Sequence, residues 1–116
     1  MLAITNECGS INYSEEALAN IVGVSTMECY GVVGMASRKI SDGITELLGR
    51  ENIGKGVEVK ITDDTLTVDL YIIVQYGTKI HEVANNVMEK VDFVLRNTLG
   101  FNPDKINVIV HGVRTK

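Results

Sequence analysis

Apolar residues recur along the chain with two different periods, one typical of helices and one typical of strands. Helical spacing over residues 15–29 and from Thr78 onward predicts two amphipathic helices, each with one buried stripe. Ser14 is the predicted N-cap of the first helix. Gly31 and Gly100 follow the two periodic segments and are the predicted stops.

Alternation with period two predicts strands elsewhere. The segments VEVKI (57–61) and LTVDLYIIVQY (66–76) indicate a β-hairpin, with the adjacent aspartates Asp63 and Asp64 in its turn. Three shorter apolar segments are also predicted to be extended: 9–13, 32–36 and 106–110.

A third and shorter helix is predicted over 41–48. Ser41 and Asp42 precede its apolar residues as a cap, and Gly49 is its predicted end. The order of elements is then β-α-β-α-β-β-α-β. It predicts one α+β domain over residues 1–116, a small mixed sheet of about four strands with two or three helices packed on one face.

The stretch GRENIGKG (49–56) resembles a nucleotide-binding P-loop, but its context is reversed. A P-loop follows a strand and opens a helix, whereas here a predicted helix comes before the glycines and a predicted strand after them. Gly56 also occupies the position that needs Ser or Thr for Mg²⁺. The favoured interpretation is that Gly54 and Gly56 provide turns with positive φ. A small-ligand or nucleotide-binding module that uses 49–56 and Lys55 is the alternative hypothesis.

A second glycine pair, GVVG (31–34), resembles the GxxG loop of RNA-binding KH domains. That loop clamps a nucleic-acid backbone, and two valines between the glycines favour a buried strand instead. Arg38 and Lys39 just downstream leave RNA binding as a third hypothesis. The net charge of −4, from 15 acidic against 11 basic residues, argues against nucleic acid as a main partner.

Candidate catalytic and metal-binding residues are few. Cys8 and Cys29 do not form a C-x-x-C pair, and His81 and His111 are isolated in sequence. We therefore predict no catalytic, cofactor-binding or metal-binding residues and no cofactor. The first ten residues do not have the pattern of a signal peptide, and the apolar run at 70–74 is too short to span a bilayer. These features predict a cytoplasmic protein without a membrane span.

Several blocks taken together carry a family resemblance. They are GSINYSEEALANIV near the start, CYGVVGMA (Cys29–Ala36), YIIVQYG (Tyr71–Gly77) with the helix after it, and HGV close to the end. In this order, and over nearly the whole chain, they resemble the alkaline-shock protein family of Gram-positive bacteria, in particular its short single-domain branch.

The resemblance implies a non-enzymatic scaffold protein of the cell-envelope stress response. Members of that family self-associate and dock to small membrane-anchored partners at the inner face of the cell membrane, and the resemblance implies the same for this chain. The short branch also implies a link to a fatty-acid kinase pathway. The family has no established catalytic or cofactor residues to transfer to this chain.

Two kinds of surface are the predicted interfaces of such a scaffold. One is an unpaired sheet edge, at 106–110 or 32–36. The other is the polar side of the long helix, which carries Glu82, Asn85, Asn86, Glu89 and Arg96.

Overall fold

The fold is known from a computed structural model, which describes residues 2–38 and 47–115. The α+β prediction is confirmed. A 3-10 helix, Arg50–Gly56, precedes β4, and a π-helical turn, Val94–Thr98, extends α2. The regular elements are β1 (Leu2–Asn6), β2 (Gly9–Tyr13), α1 (Glu15–Met27), β3 (Val32–Met35), β4 (Val57–Thr62), β5 (Thr65–Gln75), α2 (Ile80–Phe93) and β6 (Lys105–Arg114).

The main sheet has four strands and is built around β5. Strand β6 pairs with β5 in parallel along Thr67–Gln75, whereas β4 and β3 pair with it antiparallel. The β4 pairing covers residues 65–70 of β5 and the β3 pairing covers 72–74. Because β6 runs along one whole edge of β5, β3 and β4 must share the other edge. The mixed sheet is therefore made by one long central strand.

The hydrophobic core lies between one face of this sheet and both helices. Alternate residues of β5, from Leu66 to Val74, point to that face, as period-two alternation requires. Helix α1 contributes Leu18 and Val22 to the same cluster. The buried positions of α2 are Val83, Val87 and Val91. The predicted packing of the helices on one face is confirmed.

The start of α1 and the turn after it agree with the sequence analysis. The Ser14 hydroxyl accepts a hydrogen bond from the backbone N–H of Ala17 at 3.0 Å, which is the expected N-cap. Gly31 has φ +87°, a conformation that favours glycine. Helix α2 begins at Ile80 rather than Thr78, because the Thr78 hydroxyl donates to the carbonyl of Gln75 and closes a turn after β5.

The β4–β5 hairpin has the predicted two-aspartate turn. Asp63 and Asp64 have φ of 47° and 66°, so both central residues lie in the left-handed region. This is the geometry of a type I′ turn, whose twist matches that of the strands on either side. The turn joins the paired residues Thr62 and Thr65.

A second hairpin, β1–β2, forms a separate two-stranded sheet. Only its second strand, 9–13, is predicted from the sequence. Tyr13 anchors the base of the hairpin through an edge-to-face contact with Phe101, with ring centroids 5.4 Å apart.

The predicted helix over 41–48 lies outside the described residues except for Leu47 and Leu48. Leu47 forms an antiparallel bridge with Ala36, and the Leu48 N–H donates to the Met35 carbonyl at 2.9 Å. Gly49 is extended, with φ −74° and ψ 170°, and directly precedes the 3-10 helix. Residues 47–49 therefore line the edge of β3 and do not end a helix.

Candidate interaction surface

The P-loop-like stretch does not have the geometry of a phosphate cradle. It forms the 3-10 helix Arg50–Gly56 and runs directly into β4 at Val57. The prediction that a strand follows the glycines is therefore confirmed. A P-loop instead places its glycines between a strand and the N-terminus of a long helix.

The prediction of positive φ at Gly54 and Gly56 is wrong, since neither is among the positive-φ glycines. Both are needed for close packing instead. A Cβ at Gly56 would lie 2.9 Å from the carbonyl oxygen of Ala36, and a Cβ at Gly54 would collide with the side-chain oxygen of Asn20. The two glycines let the 3-10 helix approach β3 and α1.

Lys55, the residue that would meet a phosphate, is exposed on a shallow groove. Arg38 lines the same groove, but so do Glu16 and Glu51. Two carboxylates in the same groove oppose the binding of a polyphosphate, because like charges repel. The geometry therefore gives the nucleotide hypothesis no support.

The last three residues of the GVVG segment lie in β3, as the two valines predict, and Gly31 lies in the turn before it. Val32 pairs with Val74 of β5, and Met35 pairs with Ile72. The glycine between them, Gly34, is buried against Leu47. The segment is a sheet strand rather than a loop that could clamp a nucleic-acid backbone.

The histidines and cysteines do not come together. His81 is exposed, whereas the Nδ1 of His111 lies 3.2 Å from the Ser37 carbonyl oxygen. Cys8 is exposed, and Cys29 is half-buried, so that burial raises the pKa of the Cys29 thiol although nearby Lys90 partly opposes the rise. Among residues 2–38 and 47–115, no three His, Cys, Asp or Glu side chains are placed to share a metal ion.

Asp69 is a buried acid that the sequence analysis missed. It lies on the sheet face opposite the helices, 6% exposed, with its Oδ2 3.0 Å from Lys60 Nζ and its Oδ1 accepting from Asn107 Nδ2 at 2.7 Å. Burial disfavours its charged form, but the hydrogen bonds from Asn107 and Lys60 and the nearby positive charges outweigh it and hold the pKa of Asp69 below its usual value. Both oxygens have protein partners, so the group ties β4, β5 and β6 together.

The signal for Asp69 was present in the sequence. It is the one acidic residue inside the apolar strand LTVDLYIIV, flanked by the core residues Val68 and Leu70. A charge at such a position is almost always paired when buried.

The outer face of α1 has an unusual composition for a surface helix. From Ala17 to Met27 the sequence is ALANIVGVSTM, which contains no charged residue. Yet Val24 is 51% exposed and Met27 is 37% exposed. A surface helix normally carries charged or polar residues on its solvent face. The inner face of α1 is buried in the core, and its outer face between Glu16 and Glu28 is uncharged, with Asn20 exposed beside Val24 and Met27.

An apolar groove runs between this outer face and the 3-10 helix. It has a volume of about 560 Å³, with Val24, Met27 and Glu28 on the α1 side and Arg50 and Ile53 on the other. We call it the α1 groove.

The floor of the α1 groove is set by a glycine of the helix. The Ile53 side chain packs so closely on Gly23 that any Cβ there would collide with it. Leu47, 40% exposed, continues the apolar surface at one end. Leu47 and Met27 both lie close to Gly34, where a Cβ would lie 2.6 Å from Leu47 Cδ1 and 3.8 Å from Met27 Sδ. Val24, Met27 and Leu47 therefore continue one apolar surface around the groove.

Two charges of opposite sign border the α1 groove. The Glu28 carboxylate lies 3.7 Å from Lys90 Nζ in a pair whose side chains are 62% and 42% exposed. The Arg50 side chain makes no hydrogen bond or ion pair with the other residues that the structure describes. The groove therefore has an apolar centre and a charged border of zero net charge.

The surfaces that the sequence analysis favoured differ from this groove. The polar residues named on α2 are exposed, as expected for a solvated face. The outer edge of β3 is partly occupied by Leu47 and Leu48. Along the described chain, β6 has no strand on its outer edge, but it starts with Lys105 and carries a bulge at His111, two features that protect edges from pairing.

No helix in the described parts of the chain is both long and apolar enough to cross a bilayer.

Comparison with known proteins gives one family. The profile of the alkaline shock protein 23 family, described by a cell envelope-related function, matches residues 3–115. The uncharacterized protein YloU of Bacillus subtilis is 44% identical over 114 residues, 97% of this chain and 95% of the relative.

Two further relatives extend the comparison. The uncharacterized protein Spy1614 of Streptococcus pyogenes is 44% identical over 112 residues, covering 96% of this chain and 93% of the relative. The uncharacterized protein YqhY of Bacillus subtilis is 32% identical over 106 residues, covering 91% and 78%. No solved structure matches. With a family profile that covers nearly its whole length, the chain belongs to the alkaline shock protein 23 family.

Proposed function

We propose that this protein is a non-enzymatic interaction module of the cell-envelope stress response. It self-associates and docks to a membrane-anchored partner at the cytoplasmic face of the cell membrane. The observation that carries this proposal is the α1 groove, an open apolar surface on a helix whose last eleven residues, Ala17–Met27, carry no charge. The cell envelope-related description of the family supports the setting.

The exposed apolar side chains of this surface gain free energy when a partner covers them. Burying apolar surface contributes about 25 cal/mol for each Å² removed from water. Val24, Met27 and Leu47 are each more than a third exposed and together continue one surface. Apolar centres with a polar or charged border are typical of protein interfaces, where charge is depleted from the centre. The same surface has no reason to be uncharged if it only faces water.

A nucleotide-binding function has no comparable observation behind it. Glu16 and Glu51 share the groove of Lys55, and the 3-10 helix is fixed against α1 by Gly54. We therefore do not propose it as a second function.

The experiment is an affinity purification of the tagged protein from cross-linked cells, with the membrane fraction solubilised and included. Three forms are compared: the native chain, Val24→Lys in the α1 groove, and Phe93→Lys as the matched control on α2. Val24 and Phe93 are 51% and 57% exposed, so neither change empties the core.

We expect the native chain and Phe93→Lys to recover one small integral membrane protein in stoichiometric amount, together with untagged copies of the chain. Val24→Lys should lose one or both. Recovery of only a soluble enzyme, such as a fatty-acid kinase, would contradict the proposal and indicate a regulatory subunit. Equal recovery with all three forms would show that the α1 groove does not carry the function.

A further inference from the structure

We infer that the α1 groove is a two-fold interface between two copies of this chain, with Glu28 of each copy paired to Arg50 of the other. The inference rests on the proposed self-association and assigns it to a surface. Its starting points are the open apolar centre of the groove and the two opposite charges on its border.

Two-fold symmetry makes specific demands on a surface. The same patch must face itself after a rotation of 180°, so that residue i of one copy contacts residue j of the other and the reverse. A patch with charges of one sign would repel itself in this arrangement. A patch with one acid on one wall and one base on the opposite wall is complementary to itself, because the rotation brings each charge onto its opposite.

The α1 groove has this distribution. Glu28 lies at the C-terminal end of α1, and Arg50 begins the 3-10 helix that forms the other wall. The side chains between them, Val24, Met27 and Ile53, are apolar. A second copy laid across the groove after a half-turn would place its Arg50 near Glu28 and its Glu28 near Arg50, with the apolar side chains buried at the centre.

The present partners of the two charges leave them free for this role. The guanidinium of Arg50 has no hydrogen-bond or ion-pair partner within residues 2–38 and 47–115. Glu28 meets Lys90 at 3.7 Å, but both side chains are exposed. Such a loose surface pair is weak, since water screens it and the side chains lose entropy on holding one geometry. Glu28 therefore loses little binding free energy when it exchanges Lys90 for Arg50 of a second copy.

Charge complementarity favours a second copy over another occupant. An unrelated helix could fill the apolar centre, but it would have to bring one base and one acid at the spacing of Glu28 and Arg50. A second copy supplies both by symmetry. The outer face of α2 also exposes apolar side chains, Ile80, Met88 and Phe93, but it offers no equivalent surface, because polar and charged residues lie among them.

The test is a charge exchange. We compare the native chain, Glu28→Arg and Arg50→Glu by sedimentation and light scattering over a wide concentration range, with circular dichroism to confirm folding. The native chain should dimerise. Each variant places two like charges opposite one another at both ends of the interface, so its dimer Kd should rise at least about tenfold.

The decisive measurement is the equimolar mixture of the two variants. Glu28→Arg carries two bases at the border and Arg50→Glu carries two acids, so each is complementary to the other. A two-fold interface predicts that the mixture recovers a 1:1 heterodimer although each variant alone is monomeric.

Three control variants separate this effect from a general change of charge. Glu89→Arg on α2 and Lys55→Glu on the other side of the 3-10 helix should keep the native dimer Kd. Lys90→Ala removes the intrachain partner of Glu28 and should also leave the dimer intact.

The other outcomes overturn the inference in different ways. A native dimer whose Kd is unchanged in both variants places the interface elsewhere and leaves the proposed function standing. Variants that dissociate without recovering a heterodimer rule out the two-fold pairing. A monomeric native chain that still captures a membrane protein, and loses it on Val24→Lys, shows that another protein occupies the groove. A monomeric chain that captures nothing overturns both the inference and the proposed function.

Discussion

The two helices are nearly equal in length and lie on the same face of the sheet, yet their outer faces differ. Helix α1 has 13 residues and α2 has 14, and each buries a stripe of aliphatic side chains. On its solvent side α2 carries the ionisable residues Glu82 and Glu89, with the polar residues Asn85 and Asn86 between them. After Glu16, α1 carries none until its C-cap, Glu28.

The difference shows which part of a helix reports function. The inner stripes of both helices follow from the need to cover the sheet, so they carry no information beyond the fold. The outer face of α2 also exposes Ile80, Met88 and Phe93, but polar and charged side chains lie among them, as water favours. The outer face of α1 has no charge between Glu16 and Glu28, and a contiguous exposed apolar surface is typical of an interaction site.

The largest effect is expected on the inner face of α1. Leu18 is 1% exposed, and Leu18→Ala should reduce the free energy of unfolding by about 2–5 kcal/mol, from lost burial and from the cavity left behind. Val24→Ala on the outer face should change it by less than about 0.5 kcal/mol in the monomer. Urea denaturation of both variants measures the two values. Similar losses would mean that the two faces of α1 are not distinct.

The sharpest comparison uses two methionines with equal exposure, Met27 on α1 and Met88 on α2, both 37% exposed. Met27→Lys should raise the dimer Kd at least about tenfold, which corresponds to about 1.4 kcal/mol. Met88→Lys should leave the Kd unchanged, because its surroundings are already polar. Sedimentation equilibrium measures both. If both variants weaken the dimer equally, the outer faces of the two helices contribute alike to dimerisation, which would contradict the difference between them.

A smaller effect on stability is expected in the sheet, on the face away from both helices. Asp69→Asn should reduce the free energy of unfolding by about 1 kcal/mol at neutral pH, since a charged acceptor is lost from two hydrogen bonds. The native pKa of Asp69 is lowered, so its contribution is complete above the unfolded pKa of about 4 and is lost as the pH falls through the native value.

Denaturation curves between neutral and acidic pH measure this contribution. The native chain should lose stability more steeply than Asp69→Asn as the pH falls. Parallel curves would mean that Asp69 does not stabilise the sheet. In Asp69→Asn, the stability that is still lost at acidic pH is due to the other acidic residues, including those near the helices.

The smallest effect is expected on the outer face of α2. Arg96 donates to Asp92 at 2.9 Å, four residues apart, with both side chains more than 40% exposed. Asp92→Asn should cost only about 0.2–0.5 kcal/mol, and 1 M salt should remove the difference. A loss above about 1 kcal/mol would show that this face is more than a solvated surface.

Much of the fold was predictable because local patterns determine it. The hairpin around Asp63 and Asp64, the N-cap at Ser14 and the stop at Gly31 each follow from a short stretch of sequence. Strand β1 was missed because LAITN has too few apolar alternations to identify a strand without its partner.

The α1 groove could not be predicted, because it depends on elements that meet only in three dimensions. The roles of Gly54 and Gly56 are set by Asn20 and Ala36, which lie far away in sequence. The position of Arg50 beside Val24 likewise depends on how the 3-10 helix packs on Gly23. The one local signal was the run of eleven uncharged residues in a helix that was expected to face water.

The central position of β5 has a consequence for the order of folding. Its antiparallel partner β4 is joined to it by a two-residue turn, whereas its parallel partner β6 is separated from it by residues 76–104, including α2. Short loops close faster than long ones, so we expect β5 to pair with β4 before it pairs with β6. During synthesis, β5 emerges before β6 by the length of this whole segment, and one edge of an aliphatic strand stays open until then. Pulsed hydrogen exchange during refolding should protect the amides of β4 first and those of β6 last, and the interval between them is the time in which the unfinished sheet can aggregate.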